Sequence, residues 1–279
     1  MKNNRSILIT GCSSGIGYQI AKDLKERGYR VIATARKQED VRRLESEGLF
    51  SLQLDLEHSE SISNAFKKSL EHTDGKLHGL FNNGAYGQAG AVEDLTREAL
   101  SKQFETNVIG TIELTNLAIP IMRQQNQGRI IFNSSVLGFI ALKFRGAYCA
   151  SKYAIEGIAD TLRLELATSN IHISLIEPGP IESKFRANSY AMYKRYINRD
   201  TSVFRDEYLA SEKRLLKKGA AAPFTLPANS ITPKVLHALE NDSPKERYYV
   251  TKPTYIFGYL KRVLSQRTLD KLLLKISNS

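Results

Sequence analysis

The chain has 279 residues, of which 42% are hydrophobic and 25% are charged, and this balance excludes an intrinsically disordered protein. The formal net charge is +11, but the lysines and arginines are spread among acidic residues and accompany no nucleic-acid-binding motif. We therefore expect a solvated basic surface and no nucleic-acid partner. The two cysteines, Cys12 and Cys149, match no metal-ligand or redox spacing, which indicates a reducing compartment and no metal site.

The amino-terminal stretch "MKNNRSILIT" combines basic residues with a short apolar run. Glycine and serine interrupt the run before it reaches the length of a signal peptide, so we interpret it as a strand and expect a cytoplasmic protein. Similar β-branched runs follow between amphipathic segments: "RVIATA", "FSLQLD", "GLFNN", "GRIIFNS", "IHISLIE" and "RYYV". This alternation predicts an α/β fold, a single doubly wound parallel sheet of about seven strands with helices on both faces.

The first predicted strand continues directly into "TGCSSGIG", in which Gly11, Gly15 and Gly17 precede a helical pattern. Glycines between a strand and a helix allow the backbone to approach a phosphate, and the helix start supplies amide donors. The motif predicts a nucleotide site. Its spacing differs from the common G-x-G-x-x-G, and a tight turn capped by Ser13 or Ser14 remains an alternative.

The second predicted strand ends in "ATARK", about twenty residues beyond the glycines, where an NAD-binding unit places an Asp or Glu. Here Arg36 and Lys37 occupy that zone. Two cations suit the 2′-phosphate of NADP(H), which is the cofactor that we predict. The alternative is that both residues are the solvated first turn of the next helix, although such turns prefer acidic residues.

Further motifs follow in the order "LDL", "NNGA", "TN", "NSSVLG", "YCASK" and "PGP". With the glycine loop, this set resembles the short-chain dehydrogenase/reductase family over nearly the whole chain, including the spacing of thirteen residues between Ser135 and Tyr148. The spacing of four between Tyr148 and Lys152 places both side chains on one face of a helix. The resemblance implies one Rossmann-like domain over residues 1–279.

The resemblance also implies four catalytic residues: Asn107, Ser135, Tyr148 and Lys152. Tyr148 would donate a proton to a substrate carbonyl, while Lys152 would lower the pKa of the phenol and bind the nicotinamide ribose. Ser135 would stabilise the same oxygen, and Asn107 would hold a water linking Lys152 to solvent. Taken singly, Ser135 is equally consistent with a strand-end cap and Asn107 with a satisfied core amide.

For the cofactor, the resemblance implies that Asp55 meets the adenine, that the region of Asn82 lies beside the adenine ribose, and that "EPGPIES" flanks the nicotinamide. The chain departs from the family in reading "NNGA", which exchanges Gly84 and Ala85, and in having Ser183 where threonine is common. The full set implied is Gly11, Ser13, Ser14, Gly15, Ile16, Gly17, Arg36, Lys37, Asp55, Leu56, Asn82, Asn83, Gly84, Tyr148, Lys152, Pro178, Gly179, Ile181 and Ser183.

After "EPGP" the strand and helix pattern is lost for about 45 residues, longer than an ordinary connection. We interpret residues 183–233 as a helical substrate lid, joined to the sheet by a flexible segment around "GAAAPF". An alternative for its aromatic residues is packing against the sheet or a neighbouring subunit. These aromatic residues are Phe185, Tyr190, Tyr193, Tyr196, Phe204 and Tyr208.

The quoted motifs look most like the retinol and hydroxysteroid dehydrogenase branch of the family. This implies an NADP(H)-dependent oxidoreductase that interconverts a lipophilic alcohol and its aldehyde or ketone, assembled as a dimer or tetramer through the helices containing Asn107 and Tyr148. A non-catalytic NADPH-binding sensor or scaffold on the same fold is the alternative. An amphipathic, basic helix over about residues 254–276 packs on the fold or on a subunit, or else contacts a membrane surface.

Overall fold

A computed structural model of the protein describes residues 5–217, 219 and 222–277. Its centre is a seven-stranded sheet with the order β3-β2-β1-β4-β5-β6-β7, in which all neighbouring strands are parallel. Every predicted strand is confirmed. The strands are β1 (Ser6–Ile9), β2 (Arg30–Ala35), β3 (Phe50–Gln53), β4 (Gly79–Asn82), β5 (Gly128–Asn133), β6 (Ile171–Glu177) and β7 (Arg247–Tyr249).

The described helices are α1 (Gly15–Glu26), α2 (Gln38–Ser46), α3 (Ser59–His72), α4 (Arg97–Phe104), α5 (Gly110–Gln124), α6 (Gly146–Glu165), α7 (Phe185–Tyr196), α8 (Arg205–Leu216), α9 (Thr232–Glu240), α10 (Lys252–Val263) and α11 (Gln266–Ser277). Helices α1, α2 and α9 cover one face of the sheet, and α3, α5 and α6 cover the other. The predicted doubly wound architecture is therefore confirmed.

The apolar strands are buried because helices pack on both faces. Strand β1 shows the alternation: Ile7 and Ile9 point into the core with α1, α2 and α9, whereas Leu8 points into the core with α3, α5 and α6. The strand order reverses between β2 and β4, on either side of β1. In an open α/β sheet, the crevice at the carboxyl ends of the strands beside such a reversal is where ligands bind.

One π-helical turn, Glu105–Ile109, interrupts the long helix between α4 and α5 and contains Asn107. Turns of this kind concentrate at functional sites. The next residue is Gly110, where an added Cβ would lie 1.9 Å from the Leu56 carbonyl oxygen. Only glycine therefore allows α5 to pack so closely on the segment that follows β3.

The inserted segment 183–233 holds α7, α8 and a core of its own. Tyr193 and Tyr208 are buried there with Ala89 and Ala91 from the segment after β4. The Tyr208 hydroxyl donates to Asp94 Oδ2 at 2.5 Å and accepts from the Ala91 amide at 2.7 Å. These tyrosines thus hold the inserted helices to the rest of the fold. Of the predicted flexible segment around "GAAAPF", Ala220 and Ala221 lie outside the described residues.

The prediction of one carboxy-terminal helix over about 254–276 was wrong, because two helices, α10 and α11, occupy this range. Leu264 has an extended backbone, and the Ser265 hydroxyl accepts from the Thr268 amide at 3.4 Å, as a residue preceding a helix does. The turn lets both helices pack their apolar faces on Ile140. Within the described ranges, no helix is both long and apolar enough to cross a membrane.

Candidate active site

The glycine loop approaches two neighbouring segments closely. Gly11 and Gly15 have φ angles of 71° and 61°, in the left-handed region that favours glycine. A Cβ added at Gly11 would lie 2.8 Å from Gly84 Cα, and one at Gly15 would lie 2.8 Å from Ser183 Cβ. The structure therefore brings together the "NNGA" segment, the glycine loop and the "PGPIES" segment at one edge of the sheet.

Asn83 fixes the shape of the glycine loop. Its Nδ2 donates to the carbonyl oxygens of Thr10 at 2.9 Å and of Gly11 at 3.2 Å. The Thr10 hydroxyl in turn accepts from the amides of Asn83 at 2.9 Å and of Gly84 at 2.7 Å. A Cβ at Gly84 would lie 3.0 Å from Leu56 and 3.2 Å from Thr10 Oγ1, so the exchanged glycine suits a tight backbone approach.

Arg36 and Lys37 lie between the end of β2 and the start of α2, both exposed. The Arg36 carbonyl accepts from Gln53 Nε2 at 3.0 Å. Lys37 pairs with Glu39 at 3.1 Å, an exposed ion pair of the kind that contributes little. The first turn of α2 instead contains Glu39 and Asp40, which are the acidic residues that such a turn prefers.

Tyr148 and Lys152 lie one turn apart in α6 and are only 8% and 4% exposed. Lys152 Nζ lies 5.7 Å from the centre of the Tyr148 ring and donates to the Asn133 carbonyl at 2.7 Å. Ser135 lies two residues after β5; its hydroxyl lowers the pKa of the Tyr148 phenol and accepts from the Leu137 amide at 3.1 Å. The structure therefore brings the predicted serine, tyrosine and lysine together.

Burial controls the protonation of this group. It raises the pKa of Tyr148 above its ordinary value, against the opposing effect of the hydrogen bond from Ser135. Burial also lowers the pKa of Lys152 to about 8, against the opposing charge of Glu156. The predicted lowering of the phenol pKa by Lys152 is not what this structure favours, because desolvation of the buried phenol acts in the opposite direction. Tyr148 consequently holds its proton at neutral pH.

Asn107 is buried, and its side chain links two segments of the site. Its Nδ2 donates to the Tyr86 carbonyl at 2.9 Å and to Ser151 Oγ at 3.0 Å, while its Oδ1 accepts from the Tyr86 amide at 3.1 Å. Ser151 Oγ donates to the Tyr148 carbonyl at 2.8 Å. Asn107 thus ties the segment after β4 to the first turns of α6, and the predicted water link to Lys152 stays a prediction.

The comparison with known families decides the classification. The family model described as short chain dehydrogenase matches residues 5–194. This protein belongs to the short-chain dehydrogenase family. It is therefore an oxidoreductase of a family that binds a nicotinamide cofactor, as the resemblance of its motifs implied.

Curated relatives agree with this family. An uncharacterized oxidoreductase, YbbO, of Escherichia coli K12 is 41% identical over 96% of this chain and 94% of its own length. Human retinol dehydrogenase 8 is 36% identical over 76% of this chain and 71% of its own. Human 17-beta-hydroxysteroid dehydrogenase type 1 is 31% identical over 88% of this chain and 77% of its own. The resemblance to the retinol and hydroxysteroid branch is thereby confirmed.

Solved structures confirm the fold. A short-chain dehydrogenase from Streptomyces avermitilis has a TM-score of 0.79 and 23% identity, covering 97% of this chain and 96% of that one. A short-chain dehydrogenase/reductase from Burkholderia phymatum, solved with NAD, has a TM-score of 0.79 and 21% identity over 98% and 96%. An actinorhodin polyketide ketoreductase, solved with NADPH, has a TM-score of 0.73 and 23% identity over 90% and 97%.

The remaining predicted cofactor residues of this dehydrogenase line the same edge of the sheet, and their contacts with a cofactor stay predictions. Asp55 follows β3 and accepts from the Glu57 amide at 3.1 Å, and the buried Asn82 donates to Thr115 at 2.9 Å. The Pro178 carbonyl accepts from the Val136 amide at 2.8 Å. Ile181 forms an isolated β-bridge with Leu226. A Cβ added at Gly179 would collide with the Thr251 side chain. Leu56 is buried.

Sequence reasoning missed Arg43 as a residue of the dehydrogenase site. Its Nη2 donates to the Ser13 carbonyl of the glycine loop at 2.7 Å, while its Nη1 donates to Glu47 at 2.9 Å. The guanidinium also stacks over the Tyr18 ring, 5.4 Å from its centre. Arg43 thus braces the glycine loop from α2. Its sequence context, a charged helix face, gives no signal for this contact.

Phe185 was predicted as one of the lid aromatics and not as a site residue. Its ring lies edge-on to Tyr148, with 5.2 Å between the ring centres. A Cβ added at Gly87 would lie 2.7 Å from Phe185 Cζ, so the ring also packs on the backbone after β4. The first residue of α7 therefore contacts the phenol directly, a pairing that only the folded chain reveals.

Proposed function

We propose that the protein is an NADP(H)-dependent oxidoreductase that interconverts a lipophilic alcohol and its aldehyde or ketone. The observation that carries the proposal is the buried group of Ser135, Tyr148 and Lys152. Tyr148 holds its proton, Ser135 lowers the pKa of the phenol, and Lys152 lies one helical turn away. A protonated phenol beside a hydroxyl donor is the arrangement that carbonyl reduction needs.

The glycine loop fits a dinucleotide. Two left-handed glycines bring its backbone close to its neighbours, and α1 starts with no acidic residue in its first turn and no side-chain cap on its amides. Gly11, Ser13, Ser14, Gly15, Ile16 and Gly17 would hold the pyrophosphate. When bound, the nicotinamide supplies a hydride to the carbonyl carbon.

The chain's own residues complete the reaction. Tyr148 gives its proton to the carbonyl oxygen, and Ser135 donates a hydrogen bond to the same oxygen. The Lys152 ammonium stabilises the phenolate that forms. Lys152 also binds the nicotinamide ribose, and Asn107 holds a water that returns a proton from solvent. In the oxidative direction each proton moves the opposite way.

The choice of NADP(H) rests on Arg36 and Lys37. Family members bind either nucleotide, because the related structures include one with NAD and one with NADPH. In this chain two exposed cations precede α2 where a carboxylate would hold the ribose of NAD(H). Arg36 makes no ion pair within the described part of the chain, so its guanidinium is available to a 2′-phosphate.

The lipophilic substrate class rests on Phe185 and on the relatives. Residues 183–233 are the substrate lid, and Phe185 at the start of its first helix presents an apolar ring to Tyr148. Two relatives are named as a retinol dehydrogenase and a 17-beta-hydroxysteroid dehydrogenase, both of which imply bulky apolar substrates. The other lid tyrosines, including Tyr193 and Tyr208, stabilise the lid.

A dimer or tetramer is the proposed assembly. Ile109 in the π-helical turn is 50% exposed and Leu164 in α6 is 75% exposed. A shallow, mostly apolar depression between α5 and α6 is lined by Val108, Ile109, Ile112 and Ile158. A second copy that packs on this surface would cover apolar area that water now contacts. A cytoplasmic location is also proposed, since the apolar run near the amino terminus forms strand β1, inside the sheet between β2 and β4.

The proposal is tested by NADPH oxidation with a panel of retinoid, steroid and medium-chain aldehydes and ketones. We expect turnover with at least one apolar carbonyl, and at least about 100-fold slower turnover with the same amount of Tyr148→Phe protein. The absence of turnover across the panel, with NADPH still bound in calorimetry, would favour the sensor or scaffold alternative. Equal rates for the two proteins would contradict the role of Tyr148.

A further inference from the structure

A buried group of charges lies directly behind Lys152. We name Glu156, Glu177 and Arg247 the carboxyl cluster. Glu156 follows Lys152 by one turn of α6, Glu177 is the last residue of β6, and Arg247 is the first residue of β7. Arg247 Nη1 donates to Glu156 Oε2 and, at 2.7 Å, to Glu177 Oε1. Its Nη2 donates to Asp160 Oδ2 at 2.7 Å.

The cluster has more acidic than basic groups. Glu177 is fully buried and Glu156 nearly so, and a single guanidinium lies between them. Glu177 Oε2 is buried with no hydrogen-bond partner among the described residues. A second buried carboxylate would be uncompensated, whereas one proton shared by the pair makes the cluster neutral. Burial raises the carboxyl pKa of both residues, and the adjacent Glu156 raises that of Glu177 further, so the pair retains a proton to higher pH than a solvated carboxyl does.

The cluster is connected to the catalytic residues through the end of β5. Glu156 Oε1 accepts from the Ser134 hydroxyl. Ser134 lies between Asn133, whose carbonyl accepts from Lys152 Nζ at 2.7 Å, and Ser135. A Cβ at Gly138 would lie 2.6 Å from Ser134 Oγ and 2.9 Å from Glu156 Oε1, so the turn after Ser135 covers this bond.

We propose that Glu156 is a positioning residue for Lys152: through Ser134 it fixes the carbonyl that Lys152 binds, and its negative charge keeps Lys152 protonated. Glu177 sets the strength of this effect, because release of the shared proton adds a second negative charge behind Lys152. The inference rests on the proposed function, in which Lys152 stabilises the phenolate and binds the cofactor ribose.

The other charged or titratable residues around Glu156 are unchanged in every variant tested. Arg247 faces it from β7, Asp160 and Tyr153 lie near it on α6, and Lys261 reaches it from α10. Lys261 Nζ is 3.3 Å from the Tyr153 hydroxyl. A change produced by replacing Glu156 or Glu177 alone therefore reports on the carboxyl cluster itself.

The first experiment compares wild type, Glu156→Gln and Glu177→Gln, with the exposed Glu165→Gln of the same helix as the control. NADPH affinity by calorimetry and kcat/KM for an active carbonyl are measured from pH 6 to 10. We expect the alkaline loss of both quantities to move to lower pH, by on the order of 1 pH unit for Glu156→Gln and by less for Glu177→Gln. The proposal would be overturned if the folded variants lost NADPH affinity and kcat/KM at the same alkaline pH as wild type and Glu165→Gln.

The second experiment tests the shared proton without any turnover. The pKa of Glu177 is raised in the folded protein, so the folded state binds more protons than the unfolded state between its ordinary value and about 8. Wild-type stability is therefore lost as pH rises through this window, and Glu177→Gln removes that loss. We expect the Tm of Glu177→Gln, relative to wild type, to rise by at least about 2 °C from pH 5 to pH 8.

These outcomes separate the inference from the proposed function. If the Tm difference between Glu177→Gln and wild type does not change with pH, the pair does not share a proton, whether or not any carbonyl is reduced. If wild type reduces no carbonyl, the proposed function fails. The pH dependence of NADPH affinity still tests the effect of Glu156 on Lys152. If carbonyl reduction is observed but the variants lose NADPH affinity and kcat/KM at the same pH as wild type, only the role of Glu156 and Glu177 is contradicted.

Discussion

Burial shifts the pKa values of Tyr148 and Lys152 in opposite directions. It raises the pKa of Tyr148 and lowers that of Lys152 to about 8, so at neutral pH the phenol is protonated and the ammonium still charged. Carbonyl reduction needs both states, because the first supplies the proton and the second stabilises the phenolate. Neutral pH therefore lies inside the working range of the pair.

This protonation gives a pH dependence. Lys152 is charged below its pKa and neutral above it, so we expect kcat/KM for carbonyl reduction to be retained below about pH 8 and lost as the pH rises further. The measurement is a pH profile from 6 to 10 with saturating NADPH. A profile that stays flat to pH 10 would show that the charge of Lys152 is not needed.

Replacement of Lys152 has a second consequence. We expect Lys152→Ala to weaken NADPH binding and to lower kcat/KM by roughly 100-fold or more, because in the proposed mechanism the ammonium stabilises the phenolate and binds the ribose. Calorimetry and steady-state kinetics on one preparation measure the two effects. Unchanged NADPH affinity in Lys152→Ala would show that Lys152 does not bind the nicotinamide ribose.

The proposed preference for NADP(H) rests on Arg36. We expect Arg36→Asp to weaken NADPH binding by about tenfold or more and to spare NADH, since a carboxylate repels the 2′-phosphate and suits a ribose hydroxyl. Arg27→Asp, an exposed change at the far end of α1, is the control. Calorimetric titration of both nucleotides measures the preference, and wild type that binds NADH as tightly as NADPH would refute it.

At the scale of elements, α7 places its first residue against the reacting group. The Phe185 ring is edge-on to Tyr148, while Tyr196 at the other end of α7 bonds Glu98. We expect Phe185→Ala to raise KM for an apolar carbonyl several-fold and to leave NADPH affinity unchanged, because the lost surface is apolar. Tyr196→Ala should change neither. If Phe185→Ala leaves KM unaltered, the lid does not contact the substrate through this ring.

The strands and the site motifs were predictable because each depends on local sequence. A strand such as β1 is apolar throughout, and the spacing of Tyr148 and Lys152 fixes their shared face. The break at Leu264 was not predictable, since the apolar periodicity continues across it and the start of α11 is marked only by Ser265, whose hydroxyl accepts from the Thr268 amide. The contact of Arg43 with Ser13 joins residues thirty positions apart, and no local pattern encodes it.

The protonation of Tyr148 could not be predicted from spacing either. A lysine four residues away predicts a lowered phenol pKa only if its charge outweighs the desolvation of the phenol. In the fold, the end of β5 presents the Asn133 carbonyl, and Lys152 binds it. Burial of the whole group then controls the titration of the phenol.

At the scale of the whole molecule, the exposed apolar surface of α5 and α6 predicts assembly. We expect wild type to be a dimer or tetramer at micromolar concentration and Ile109→Glu to shift it toward monomer, because a buried carboxylate without a partner opposes association. Val203→Glu is the control, since this 81% exposed residue lies in the inserted segment. Light scattering that shows monomeric wild type would contradict the assembly.

We propose that Tyr148 is the acid with which this fold reduces carbonyl groups. This proposal is tested most directly by NADPH oxidation with the most active apolar carbonyl of the panel, for wild type and Tyr148→Phe side by side, with NADPH affinity measured on both proteins. We predict that Tyr148→Phe binds NADPH within about threefold of wild type and loses at least about 100-fold in kcat. Equal kcat values for two proteins that bind NADPH equally would contradict the account.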